Sequence, residues 1–230
     1  MARNPMIISP PRLTWLILFG LAGFLAGGGC APAHAQQFSA DLVTTHVDGT
    51  AIASHLRVFN NKVRIETPEF PDGFFLIDGV SRAAYFARPG EGVFMDARQS
   101  SRLTRLFVPV DLGDPCLQWQ EMAMLAGVAE PSTPWRCERV GDELLEGRGV
   151  VVYRAISSPG RDILGWIDPS LKFPLRIRMQ DGTTVTAENI HEEPQSAHLF
   201  EIPSGLRKFD PEALIKHIKQ SDVWVDTPPP

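Results

Sequence analysis

From Phe173 to Met179 the apolar residues Phe173, Leu175, Ile177 and Met179 alternate with Pro174, Arg176, Arg178 and Gln180. That is the period-two pattern of a strand with one dry and one wet face. The returning run puts Val185 and Ala187 on one side and Thr184, Thr186 and Glu188 on the other. A two-residue Asp181-Gly182 turn would set Ile177 opposite Thr186. A three-residue Gln180-Asp181-Gly182 loop, with Gly182 in the left-handed conformation, sets Ile177 opposite Val185 and keeps both dry faces together, so the longer loop is expected.

The first half predicts a meander of strands. Phe38, Ala40, Leu42, Thr44 and His46 alternate with Ser39, Asp41, Val43, Thr45 and Val47 before a turn at Asp48-Gly49. Strands over Ala51–Phe59 and Lys62–Glu66 meet across Asn60-Asn61, whose tolerance of positive φ suits a two-residue hairpin turn. This register sets Val58 opposite Val63 and Leu56 opposite Ile65. It sets Arg57 opposite Arg64 and His55 opposite Glu66 on the other face, which is expected to be solvated because facing arginines are costly when buried. Further strand-like runs fall at Phe74–Ile77, Arg82–Ala87, Val93–Asp96, Trp135–Val140 and Val150–Ala155, with Gly147-Arg148-Gly149 as a turn. Phe74-Phe75-Leu76-Ile77 and Leu106-Phe107-Val108-Pro109-Val110 are apolar on both faces, so each side needs a cover.

Two helices interrupt the pattern. Asp114 is a good N-cap and Pro115 a good first residue, and the segment to about Leu125 offers Leu117, Met122 and Leu125 as its apolar face, widened by Trp119 and Met124. Asp210-Pro211 opens a second, running to about Gln220, with Leu214, Ile215 and Ile218 inward. The tail Pro228–Pro230 is proline-rich.

The apolar run Leu13–Gly27 follows Arg3 and Arg12 and is shorter than the roughly twenty residues of a membrane span. Ala33-His34-Ala35 supplies a small-x-small cleavage site before Gln36, so residues 1–35 are expected to be a removed export signal. Cys30 offers a competing, lipid-anchored reading, although Gly27-Gly28-Gly29 lacks the usual aliphatic residue. Loss of Arg3 and Arg12 takes the net charge from -5 to about -7, which argues against a nucleic-acid partner. The remaining, roughly 195 residues suit one domain. An exported chain with Cys116 and Cys137 as its mature cysteines is expected to join them, closing a loop worth about 3 kcal/mol.

Motifs for chemistry are sparse. The sequence contains no His-Glu-x-x-His, no Gly-x-Ser-x-Gly elbow, no phosphate-cradling glycine loop and no dinucleotide fingerprint. His191-Glu192-Glu193 reads as part of a solvated loop. No catalytic residue, metal site or cofactor is expected, and the chain reads as a non-enzymatic protein.

The mature start Phe38–Val43, the hairpin Asn61–Glu66, the late strand Trp166-Ile167-Asp168 to Phe173-Pro174-Leu175, and Leu199-Phe200-Glu201-Ile202-Pro203-Ser204-Gly205 together resemble the LolA/LolB-like superfamily of outer-membrane lipoprotein carriers and sorting-like proteins. The resemblance spans about residues 37–208. It implies a mostly β (α+β) antiparallel half-barrel over 36–208, closed by one or two helices, with residues 209–230 as a C-terminal helix and tail. It also implies a periplasmic protein that takes a lipid or acylated protein in a concave cavity, meeting the membrane only transiently unless Cys30 is lipidated. The candidate cavity residues are Leu42, Leu56, Val58, Val63, Ile65, Leu175, Ile177, Met179 and Val185; as ordinary core they would look the same. The alternative is an envelope sensor or interaction module that binds a partner protein. The Cys116/Cys137 pair and a longer central insertion, roughly 111–149, depart from the carriers.

Overall fold

A computed structural model describes residues 36–129, 135–157, 161–211, 213, 215 and 216. The expected export segment, with Cys30 and Ala35, and Leu214, Ile218 and the proline tail lie outside them. The strands are β1 (Gln37–Thr45), β2 (Ala51–Phe59), β3 (Lys62–Glu66), β4 (Phe74–Asp78), β5 (Ala83–Arg88) and β6 (Val93–Asp96), then β7 (Arg136–Leu145), β8 (Arg148–Ser157), β9 (Arg161–Asp168), β10 (Phe173–Arg178), β11 (Thr184–His191) and β12 (Arg207–Lys208). Two helices, α1 (Leu103–Leu106) and α2 (Pro115–Leu125), lie between β6 and β7. The strands form one sheet in the order β12-β6-β5-β4-β3-β2-β1-β11-β10-β9-β8-β7. Every pairing is antiparallel except β12 with β6. The fold is mostly β, an open and almost wholly antiparallel half-barrel with two short helices between β6 and β7.

Alternation fixes the register where one face is dry. Ile177 stands opposite Val185, with Gly182 at φ 83° in the three-residue loop. At the first hairpin Val58 faces Val63, Leu56 faces Ile65 and Arg57 faces Arg64; the turn needs a positive φ only at Asn60, 55°. The later hairpin turns at Glu146-Gly147, both with positive φ, so Arg148 and Gly149 belong to β8 and β7 extends to Leu145, five residues past the expected end at Val140.

Four expectations are corrected. The face bearing Arg57 and Arg64 is not simply solvated. The stretch from Ala197 to Phe209 crosses it, Ile202 and Leu206 pack on buried Phe74, Leu76 and Ala87, and the Arg64 guanidinium lies 3.5 Å from the Phe74 ring centre. There it donates to Glu66 and to the Leu199 carbonyl, so its charge keeps partners while its stem covers apolar surface. The run Leu106–Val110 is not a strand: α1 ends in it, and Phe107, Val108 and Val110 are buried against the concave sheet face. Helix α2 has the expected span and cap, Asp114 accepting from the Leu117 amide, but a different rotation. Cys116, Trp119, Met122 and Ala123 face inward while Leu117 and Leu125 are exposed, because Cys116 is bonded to Cys137 and Trp119 is docked on the sheet. At the C-terminal helix, Asp210 caps the Ala213 amide as expected, but Ile215 is exposed.

A candidate binding pocket beside the filled concave face

The nine candidate cavity residues come together in one cluster. Leu42, Leu56, Val58, Val63, Ile65, Leu175, Ile177 and Val185 have no exposed surface, and Met179 is 9% exposed. Against them pack Phe107, Val108, Trp119 and Met122 from the segment between β6 and β7. Phe173 meets Phe38 edge-on at 5.3 Å and Phe107 at 6.3 Å. This part of the concave face is therefore filled by the chain's own aromatic side chains.

Beside it the filling stops at Trp119. Its indole N–H donates to the Leu106 carbonyl at 2.9 Å, and its ring lies against β9 at Gly165, where an added Cβ would sit 2.5 Å from a ring carbon. Only a glycine lets the ring approach so closely. The Cys116–Cys137 bond, with Cα atoms 5.5 Å apart, ties the start of α2 to β7 and brings Trp135 near Trp119. The Trp135 amide is held by the Gln120 side chain at 3.1 Å. Between them is a cavity of about 230 Å³ with Leu106, Ala123, Val128, Ile163 and Met179 in its wall. Met179 is the one sequence-derived candidate that reaches it. Trp119 is expected on the apolar side of α2 and Trp135 at the start of a strand, neither as a pocket residue; both line the cavity, each within three positions of a bridged cysteine.

The mouth is charged. Arg102 pairs with Asp181 at 2.7 Å across the loop between β10 and β11. That bond, with the Thr183 amide, holds the Asp181 carboxyl below its ordinary range. Burial, then neighbouring Arg102, lowers the Arg105 guanidinium, whose Nη1 donates to the Arg98 carbonyl at 3.0 Å. Asp162, Ser157 and Gln180 complete the polar lining.

A second, more polar cavity of about 360 Å³ lies among Gln36, Asn61, Asp111, Gln118 and Lys172. His191 closes β11, Glu192 accepts from Arg148 at 2.7 Å and Glu193 from Ser39 at 2.9 Å; these acids hold strands together. Among the described residues no three His, Cys, Asp or Glu side chains are grouped to hold a metal ion, and no helix is long and apolar enough to cross a membrane.

No protein-family model and no curated protein sequence matches the chain. Several solved structures align with most of it at low identity. One is a domain assigned to outer-membrane lipoprotein sorting from Vibrio parahaemolyticus, at 10% identity over 72% of this chain and 89% of that one, TM-score 0.36. Another is MucB of Pseudomonas aeruginosa, in the MucA/MucB complex, at 13% identity over 76% of this chain and 59% of that one, TM-score 0.38. An uncharacterised conserved protein of Thermus thermophilus aligns at 11% identity over 77% of this chain and 91% of that one, TM-score 0.44.

Proposed function

We propose that the chain is a non-enzymatic periplasmic binding module that holds an acyl chain, from a lipid or a lipidated protein, in the tryptophan pocket, with a role in lipoprotein sorting or envelope upkeep. The observation that carries the reading is the cavity of about 230 Å³ between Trp119 and Trp135, apolar along its inner wall of Leu106, Ala123, Val128, Ile163 and Met179 and polar at its mouth. An engineered apolar cavity of roughly 150 Å³ already takes up benzene, so this one has room for part of a hydrocarbon chain. Each buried methylene would contribute about 0.8 kcal/mol. The other eight residues of the concave wall stand behind this pocket, and a longer chain reaches them by displacing Trp119 or the segment around Phe107.

The test is native mass spectrometry of the protein purified from the periplasm, followed by organic extraction. A co-purifying acyl lipid is expected, and it should be lost in Val128→Asp, a half-exposed wall position where a charge leaves the fold intact by circular dichroism. A bare protein mass with no uptake of added lipid would sink the proposal.

One observation favours a second reading, a protein-interaction module. Among the described residues strand β7 pairs on one side only and forms one edge of the sheet; it is ten residues long, with Val140 57% and Leu144 80% exposed. Unpaired edges of this kind accept a partner strand. Binding of an envelope protein that is lost on charging Val140 and Leu144, in a lipid-free chain, would establish it.

A further inference from the structure

The mouth of the tryptophan pocket treats its two arginines differently. Arg102 is matched by Asp181, and both side chains are about half exposed, 59% and 49%, so water already weakens that pair. Arg105 is partly buried, has the Arg98 carbonyl as its hydrogen-bond partner, and forms no ion pair among the described residues. A guanidinium left without a counter-ion at the lip of a partly apolar cavity is a poor arrangement for folding alone. It is a good one for a ligand that brings the missing charge together with a hydrocarbon tail, because the planar fork accepts phosphate or carboxylate oxygens in pairs.

We infer that the pocket selects an amphiphile with an acyl chain against Trp119 and Trp135 and an anionic phosphate or carboxylate head on Arg105, with Arg102 lending its charge from beside it. The inference rests on the acyl-chain reading above and adds the class of head group. Asp162, also in the lining, has no ion-pair partner among the described residues and repels added negative charge. The favoured head is therefore singly charged.

The experiment titrates the tryptophan fluorescence of the purified protein with lysophosphatidylglycerol, with a monoacylglycerol of the same chain length, and with glycerol 3-phosphate. The wild type is expected to bind the anionic lysolipid about tenfold more tightly than the neutral one, the worth of one charge-assisted hydrogen bond, and not to bind glycerol 3-phosphate. Arg105→Gln should reduce the affinity for the anionic lysolipid to the level of the neutral one. Arg105→Lys should restore part of the preference, and Asp162→Asn should increase it. Equal affinity of the wild type for both lipids, or a preference that survives in Arg105→Gln, overturns the head-group assignment alone. Binding of neither lipid overturns the acyl-chain reading beneath it. Glycerol 3-phosphate binding as tightly as the lysolipid would make the ligand a soluble phosphate and overturn both.

Discussion

The two ends of the concave face are built from the same kind of strand and finished differently. Around Phe38 and Phe173 the dry side is filled by Phe107 and Val108, all fully buried. Around Gly165 the dry side is met by a single indole, and a cavity remains beyond it. The strands decide which side of the sheet is dry. The segment between β6 and β7 decides whether that side becomes core or pocket. A half-barrel of this fold is therefore not a cavity by virtue of its sheet, and open space remains where its own filling side chains run out.

The sharpest way to break this contrast is to remove the filling. Phe107→Ala is expected to cost about 3–5 kcal/mol in urea unfolding and to open an apolar cavity at the closed end, detectable by xenon or benzene uptake. A loss below about 1 kcal/mol would show that the closed end is not packed core. Val128→Asp at the open end should stay within about 0.5 kcal/mol of the wild type.

Next comes the clamp that holds the open end in shape. Replacing Cys116 and Cys137 by serine should cost about 3 kcal/mol, since the bridge spans 21 positions. It should also alter the tryptophan emission, because the bridge brings Trp135 to Trp119. Unchanged emission would mean that the bridge stabilises the chain without shaping the pocket.

Gly165→Ala should cost about 1–3 kcal/mol by overpacking against the Trp119 ring. In a double-mutant cycle with Trp119→Leu most of that cost should disappear. If the two losses simply add, the ring does not rest on that glycine.

Much of this architecture was legible in the chain, for reasons that also mark the limit. The Asn60-Asn61 and Gln180-Asp181-Gly182 loops could be assigned because one-residue slips would expose Leu56 or Ile177. The span of α2 followed from Asp114 and Pro115, but its rotation did not. Leu117 and Leu125 are as apolar as Met122, and what turns them outward is a covalent bond to β7 and the seat of Trp119 on Gly165. The far half of β7 escaped because both its faces are wet and it carries a bulge between Arg139 and Gly141, which leaves no alternation to read. Leu106–Val110 looked like a doubly covered strand because a segment buried inside a half-barrel is apolar all round, whatever its backbone does. The pocket was missed for the same reason: the alternation of Leu175, Ile177 and Met179 marks a dry face, and nothing in it says what fills that face.

The smallest effect tests whether the charged rim is frame or lure. Asp181 is held below its ordinary pKa first by Arg102 and then by the Thr183 amide. A carboxylate depressed in the folded state contributes stability above its unfolded value, near pH 4, and loses it as the pH falls through the lowered folded value. With both partners about half exposed, the pair is worth under about 1 kcal/mol. Asp181→Asn should therefore cost less than that at neutral pH, and the difference from the wild type should shrink in 1 M salt and fade in acid as Asp181 takes up a proton. Because it leaves Arg102 without its partner, the same substitution should tighten binding of the anionic lysolipid while it slightly weakens the fold. A loss above about 2 kcal/mol, insensitive to salt, would instead make the rim part of the frame and erase the distinction between an end built for packing and an end built for a ligand.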